Sequence, residues 1–312
     1  VVFLEIHAER EWALASIGPA CLAGMLRQNG HEAQLIQVPT DRSLDDLVHE
    51  IREAAPGLIG LSLTTRQWLR AQEVVAGLRE QLETPVIAGG LHPTFAPERV
   101  LDSPGFDFVC LGEGEEGLLE LVEALERGAD VGSLELRNIW LRGGARPSLR
   151  PPFEPIDALP WMARDLLSEV HGVVHMVTQR GCPFPCTYCG ARKFHDLYRG
   201  IGSYGRRRSL ENVLSEIRGL QATQTVSYIT FLDDTFTLAP RWIQRFCDVY
   251  GEEIGIPFSI HARAETVTPQ MLQALAAAGC RHITYGVESG SERVRREIMK
   301  RVVSNSHLEE VF

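Results

Sequence analysis

Short apolar runs alternate with amphipathic stretches through nearly all of this 312-residue chain, and one proline-rich interval divides the alternation into two series. In the first series Val1–Ile6, Ala33–Val38, Leu58–Leu63, Pro85–Ala88 and Phe106–Leu111 read as strands. Leu58–Leu63 is continuously apolar, as a strand buried on both faces of a parallel sheet must be. Helical periodicity follows each strand, at Ile17–Asn29, Leu44–Ala55, Arg70–Leu82, Pro97–Ser103 and Glu115–Arg127, with Gly30 and Pro56-Gly57 as stops. Strands separated by helices imply a doubly wound, Rossmann-like α/β domain whose ligand sits beyond the carboxyl ends of the strands. The segments there are Ser62-Leu63-Thr64-Thr65, Gly89-Gly90-Leu91-His92-Pro93 and Gly112-Glu113-Gly114-Glu115.

Between 141 and 170 the run Gly143-Gly144, Pro147, Pro151-Pro152, Pro155 and Pro160 forbids long regular elements and reads as a linker. From 171 the alternation restarts. Strands are expected at Val173–Thr178, Val226–Leu232, Phe258–Ala262 and Ile283–Val287, with helices at Leu210–Gln221, Arg241–Glu253, Pro269–Ala278 and Glu292–Met299. Four β/α units over 171–312 suit part of a barrel. The chain starts Val1-Val2 without Met and stops at Phe312 within a helical pattern, so a fragment cut short at its C-terminus is expected.

Composition narrows the function classes. Hydrophobic residues at 44% and charged residues at 23% are those of an ordinary globular protein, not of a disordered, collagenous or coiled-coil chain. No apolar run is long enough to span a membrane, and Glu5, His7, Glu9 and Arg10 break the apolar start, so no secretory leader is read and a cytoplasmic location is expected. The net charge of −10 is uneven: residues 1–140 hold 10 Arg, no Lys and 23 acidic residues, whereas 141–312 hold 21 basic and 18 acidic ones. An acidic first half argues against broad nucleic-acid binding. Seven cysteines, an odd number, argue against a disulfide framework.

Three of those cysteines carry the chemistry. Cys182, Cys186 and Cys189 form CxxxCxxC directly after an expected strand. Thiolates are soft ligands that suit zinc or iron–sulfur clusters. Three on one loop can hold three irons of a [4Fe–4S] cluster and leave the fourth open. Zinc would take a fourth ligand, for which His195 is near in sequence.

CxxxCxxC after the first strand of a β/α barrel, the Arg180-Gly181-Cys182 lead-in and the aromatic Tyr188 before the last Cys resemble the radical S-adenosylmethionine (SAM) enzymes, over about residues 170–312. The resemblance implies that the open iron binds SAM and that the reduced cluster cleaves it to a 5′-deoxyadenosyl radical. It implies SAM contacts at Tyr188, at Asp233 and Asp234 after the second strand, at Arg263 after the third and at Glu288 and Ser289 after the fourth. A carboxylate suits the SAM ammonium, and Arg263 suits its carboxylate. Arg206-Arg207-Arg208-Ser209 reads instead as a solvated turn with Ser209 as helix cap.

The first domain looks like the cobalamin (B12)-binding domain that precedes many radical SAM barrels. The resemblance implies cobalamin contacts at Ser62, Thr64, Thr65, Gly89, Gly90, His92, Gly112, Glu113 and Gly114. A Rossmann-like domain for another ligand is the generic alternative, although the dinucleotide GxGxxG is absent after the first strand. Aligning the Gly of the cobalt-ligating DxHxxG motif on Gly18 puts Ala13 and Ala15 where Asp and His belong. Cobalamin is therefore expected with its own base detached and no protein His below cobalt; His7, on the loop after the first strand, reads as a solvated residue. Cys21, Cys110, Cys247 and Cys280 read as packing residues, the last two on barrel helices. Trp68, Trp140, Trp161 and Trp242 read as core or linker contacts, with Trp12 and Trp68 as candidates to flank the corrin.

The implied fold is a Rossmann-like B12-binding domain followed by a partial radical SAM barrel. The implied function is cobalamin-dependent methyl transfer to an unactivated carbon of a small molecule or natural product, with flavodoxin or ferredoxin as electron donor. Cyclisation or ring rearrangement without net methylation is the alternative in the same cofactor class. A cobalamin sensor, a zinc-binding module and an RNA methylthiotransferase are the alternatives outside it. The last usually carries further cluster cysteines in its first domain, and Cys21 and Cys110 are too few for that.

Overall fold

The side chains of the first strand alternate between two cores, and that alternation organises the first unit. β1 (Val2–Ile6) is buried along its whole length. Val2, Leu4 and Ile6 pack into one apolar cluster with Leu61, Val75 and Val109. Phe3 points the other way, into a cluster with Ala23, Ile87 and Leu121. Gly60 makes that possible, because a Cβ there would stand 2.8 Å from the Phe3 ring. The computed structural model describes residues 1–9, 16–130, 132, 135–167 and 169–312. Trp12, Ala13 and Ala15 lie outside the described residues.

The chain continues through α1 (Ile17–Gln28), β2 (Gln34–Val38), α2 (Leu44–Ala54), β3 (Ile59–Ser62), α3 (Trp68–Arg79), β4 (Val86–Gly89), α4 (Leu91–Phe95), α5 (Pro97–Asp102), β5 (Phe108–Cys110), α6 (Glu115–Glu126) and β6 (Ile139–Leu141). The sheet order is β2-β1-β3-β4-β5-β6, parallel except for β6. The three-residue β6 runs antiparallel to β5; it is too short to show a period in sequence.

The proline-rich stretch has few regular elements, as expected, yet most of it is not a free tether. Residues up to Phe153, together with Leu159–Ser168, pack with the first unit, and Glu154–Ala158 pack with the second. Arg142 donates to Phe106 O at 2.7 Å, and Arg27 forms an ion pair with Asp165.

The second unit opens with β7 (Val173–Met176), β8 (Gln179–Arg180), α7 (Gly190–Leu197), β9 (Arg206–Arg207) and α8 (Leu210–Thr223). It continues with β10 (Tyr228–Phe231), α9 (Pro240–Glu253), β11 (Phe258–Ala262), α10 (Pro269–Ala277), β12 (Cys280–Tyr285) and α11 (Asn305–Val311). β7, β10, β11 and β12 form a parallel sheet in chain order, and β8 pairs with β9 in a separate ribbon. The core against α9 is aromatic: Phe231 meets Phe246 and Phe258 edge-on, with centroids 5.6 and 5.7 Å apart. Among the described residues no helix is long and apolar enough to cross a membrane.

Some local expectations are corrected. Cys280 starts β12 instead of lying on a helix. The stretch expected as a helix over Glu292–Met299 is helical, but it takes a π-helical turn at Val294–Ile298. The arginine triplet is not solvated: Arg206 and Arg208 are buried, and Arg208 pairs with Glu216 at 2.7 Å. Ser209 does cap α8, accepting from Asn212 N at 3.1 Å.

Candidate functional site

The loop between β8 and α7 brings the three cysteines together in sequence, and the ends of the parallel strands fix where it starts. Asp233, just past β10 and only 1% exposed, accepts from the backbone N–H groups of Thr178 (2.7 Å) and Gln179 (3.0 Å) and from Thr178 Oγ1 (2.6 Å). Gln179 in turn donates to Thr235 O at 2.8 Å, and Arg207 from β9 donates to Gln179 Oε1 and to Phe236 O. Burial pushes the Asp233 carboxyl above its usual pKa, while the Thr178 and Gln179 donors and the Arg207 charge oppose that. Its oxygens are thus spent on the turn that launches the cysteine loop. Gly181 follows with φ +82°, and a Cβ there would lie 2.6 Å from Tyr204 O.

All three loop thiols are free, with Cys182 and Cys186 buried and Cys189 partly exposed at the N-cap of α7. Burial pushes the Cys182 thiol up, opposed by the Phe184 backbone N–H, and Thr235 Oγ1 lies 3.7 Å from its sulfur. Cys186 Sγ accepts from Arg263 Nη1 at 2.9 Å. Among the described residues no three His, Cys, Asp or Glu side chains converge as ligands of one metal ion. Three soft thiolates on one loop suit an iron–sulfur cluster, one iron to each.

Around this loop stand the other expected residues. Asp234 is exposed and makes no hydrogen bond through its carboxylate among the described residues; the protein packed around it raises its pKa, and His261 acts against that. Arg263, Glu265, Arg301 and Glu288 form a continuous chain of ion pairs: Arg263 to Glu265 at 2.6 Å, Arg301 to Glu265 at 3.2 Å, and Arg301 to Glu288 at 3.3 Å. Tyr188 is half exposed, with its hydroxyl 3.5 Å from Arg301 Nη1. Ser289 Oγ accepts from Ser291 N at 3.2 Å. Thr187, within the cysteine loop, donates to Met299 O and Ile298 O. Glu265, Arg301, Thr178 and Gln179 escaped the sequence reading, because only the fold brings them to the loop, and Arg207 was expected in a solvated turn.

In the first unit the expected cofactor segments meet at the carboxyl ends of β3, β4 and β5. Ser62 lies opposite Gly89 in the sheet register. Gly90 has φ +90° and ψ −162°, and a Cβ there would stand 2.9 Å from Leu63 N. The glycine therefore serves the chain's own close approach, with Leu63 N–H donating to Gly89 O and His92 N–H to Leu63 O. A Cβ on Gly114 would meet Cys110 Sγ at 3.2 Å. Gly112, at φ +74°, donates its N–H to Thr94 Oγ1, and Glu113 accepts from Phe153 N. Thr64 donates twice to Gln67 Oε1, and Thr65 Oγ1 lies 3.3 Å from His92 Nδ1.

His92 is buried and stacked on Trp68, with centroids 4.7 Å apart; burial lowers its pKa, and Nε2 has no partner among the described residues. His7 Nε2 is hydrogen-bonded to Gln37 Oε1 at 2.6 Å. Leu91, within the expected segment, and Leu69 and Phe95, which the sequence reading passed over, are exposed apolar side chains on the helices that open at these strand ends. Backbone turns beside exposed apolar side chains and the orphaned His92 nitrogen fit a large, flat, partly polar cofactor.

Comparison with known proteins agrees on both units. The family model for the B12 binding domain matches residues 7–122, and that for the Radical SAM superfamily matches residues 176–312. An uncharacterized methyltransferase of Pyrococcus horikoshii is 30% identical over 307 residues, covering 95% of this chain and 65% of that protein. The anaerobic magnesium-protoporphyrin IX monomethyl ester cyclase of Rubrivivax gelatinosus is 25% identical, covering 88% of this chain and 51% of the cyclase. This chain thus spans between half and two thirds of the length of these relatives. Among solved structures, the radical SAM methyltransferase TsrM of Kitasatospora setae, with tryptophan and a SAM analogue bound, superposes with a TM-score of 0.76 at 16% identity, covering 99% of this chain and 64% of TsrM. OxsB, with aqua-cobalamin and SAM bound, superposes with a TM-score of 0.79 at 21% identity, covering 98% of this chain and 46% of OxsB. At these identities the two structures bear on the fold alone.

Proposed function

We propose that this chain, whose two units match the B12 binding and Radical SAM family models, is a cobalamin-dependent radical SAM enzyme that transfers a methyl group to an unactivated carbon of a small molecule. The observation that carries the proposal is the loop of three free thiols at the carboxyl edge of a parallel β/α sheet, in one chain with a B12-binding unit. When bound, the cluster with SAM supplies a 5′-deoxyadenosyl radical and cobalamin supplies the methyl group.

The residues of the chain bind and orient these groups. Cys182, Cys186 and Cys189 hold the cluster. Asp234 is the open carboxylate for the SAM ammonium, and Asp233 holds the turn beneath it. Tyr188, Glu288 and Ser289 line the remaining SAM contact, oriented in part by Arg301. In the first unit Ser62, Thr64, Thr65, Gly89, Gly90, His92, Gly112, Glu113 and Gly114 form the cobalamin surface. His7 Nε2 is engaged by Gln37 Oε1, so His7 would not be the residue to ligate cobalt if cobalamin bound here. A small iron–sulfur or flavin protein, a ferredoxin or flavodoxin, supplies the electron.

The curated cyclase relatives support a second reading, ring formation without net methylation. One experiment separates the two. The protein is reconstituted anaerobically with iron, sulfide and hydroxocobalamin, then reduced with SAM carrying a deuterated methyl group. Methyl transfer predicts deuterated methylcobalamin and S-adenosylhomocysteine stoichiometric with cobalt. Deoxyadenosine without S-adenosylhomocysteine favours the cyclase. Neither iron nor cobalt in the folded protein refutes both.

A further inference from the structure

Arg263 was expected to bind the SAM carboxylate, yet its guanidinium is directed elsewhere. It is 7% exposed. Nη1 donates to Cys186 Sγ at 2.9 Å, and Nη2 donates to Glu265 Oε1 at 2.6 Å. Its plane lies over the Phe184 ring, 3.8 Å from the centroid, and Phe184 belongs to the cysteine loop itself. Glu265 is held from its other side by Arg301, which is 2% exposed and uses both Nε and Nη2 for the purpose. The position of Arg263 is therefore fixed from three directions. Its Nε is buried and has no partner among the described residues.

We propose that Arg263 is a positioning residue that acts through Cys186 to raise the reduction potential of the cluster. The inference rests on the cluster reading above. Reduction adds one negative charge to the cluster and its thiolates. A fixed cation in contact with a ligand sulfur stabilises the more negative state, and an N–H···S bond strengthens as charge accumulates on sulfur. Hydrogen bonds to the sulfurs and net local charge are established determinants of iron–sulfur potentials. Burial keeps solvent and salt from screening this one. Glu265 and Arg301 hold the guanidinium on the sulfur and so belong to the same device.

The test compares the unsubstituted protein with R263Q, R263M and R263K after anaerobic reconstitution. Iron per chain, the midpoint potential from an EPR-monitored redox titration without SAM, and the dissociation constant for SAM with the oxidised cluster are measured separately. About four irons per chain are expected throughout. The midpoint potential is expected to fall in R263Q and R263M, with R263K in between because it keeps the charge and loses the fork. SAM affinity is expected to stay within about twofold, well under the tenfold that corresponds to about 1.4 kcal/mol. An unchanged potential in R263Q or R263M with full iron overturns the proposal. If SAM affinity then also falls tenfold or more, Arg263 is a SAM ligand. Loss of iron in both overturns it too, since Arg263 is then structural. Absence of iron in the unsubstituted protein refutes the cluster reading itself, a distinguishable outcome.

Discussion

Single side chains near the candidate centre differ in how strongly the fold constrains their protons. Burial alone would push the Glu265 carboxyl up, but its hydrogen bonds from Arg301 and the charges of Arg263 and Arg301 hold it below its usual value. A carboxylate with a depressed folded pKa stabilises the fold above its unfolded pKa, and that contribution is lost as pH falls through the folded value. The second unit should therefore lose stability as pH drops below the ordinary glutamate range, and E265Q should flatten that part of the profile. Urea midpoints measured from pH 6 to pH 3 check this; parallel profiles for the two proteins would contradict it. The cysteines divide in a related way. Burial pushes the Cys110 and Cys247 thiols up to about 12, and neither is in the loop. A thiol needs its thiolate to react. Iodoacetamide at pH 8 should label the partly exposed Cys189 in the folded apoprotein and leave Cys110 and Cys247 unmodified, as read by peptide mass spectrometry. Labelling of Cys110 ahead of Cys189 would count against the packing described. The division between loop and scattered cysteines was legible in sequence, because CxxxCxxC is contiguous. Glu265 and Arg301 were not, because their partners lie 36 residues apart in the chain and meet only after folding.

At the scale of elements, what showed in sequence was what repeats with a period. The parallel strands and the long helices between them stand within a few residues of the expected bounds, since apolar runs and amphipathic stretches have lengths that periodicity can detect. β6, the β8–β9 ribbon and α4 are two to five residues long and carry no period. The stretch after β12 is helical as expected, but its π-helical turn has another reason. Its charged pattern suits a surface helix, whereas the buried Arg295 donates to Ser289 O and Val303 O and so ties together the backbone on either side of the π-helical turn. Turn chemistry made its own demand at the end of β4. Gly90 occupies a backbone region essentially reserved for glycine, and a Cβ would also crowd Leu63 N at 2.9 Å. Gly90→Ala should cost about 1–3 kcal/mol from the backbone conformation alone. A lowered denaturation midpoint of the first unit, followed through Trp68 fluorescence in a background with the other four tryptophans replaced by Phe, checks this; an unchanged midpoint would mean the turn relaxes freely.

At the scale of the whole chain, two units with separate cores carry two separate sets of expected cofactor contacts. Anything that binds the folded form and not the unfolded one stabilises what it touches, by about 2.7 kcal/mol at one hundred times its dissociation constant. Each cofactor should therefore leave its own mark on backbone hydrogen exchange. Hydroxocobalamin should slow exchange at Ser62–Thr65, Gly89–Phe95 and Gly112–Gly114. Cluster reconstitution should slow it at Gly181–Gly190, Asp233–Thr235 and Glu288–Arg301 instead. The acidic first half makes the cobalamin effect a stringent one, because a protected turn there cannot be put down to non-specific attraction of an anionic nucleotide tail to basic surface. Deuterium uptake measured by mass spectrometry, with each cofactor added alone, decides the matter. Protection by cobalamin at the sheet's opposite end, around Gly30–Gln34 and Ala54–Gly57, would place the ligand at the amino ends of the strands and overturn the assignment of the first unit's site. Protection at the named turns, and at them alone, would tie the glycine-rich strand ends to cobalamin and the cysteine loop to iron by independent routes.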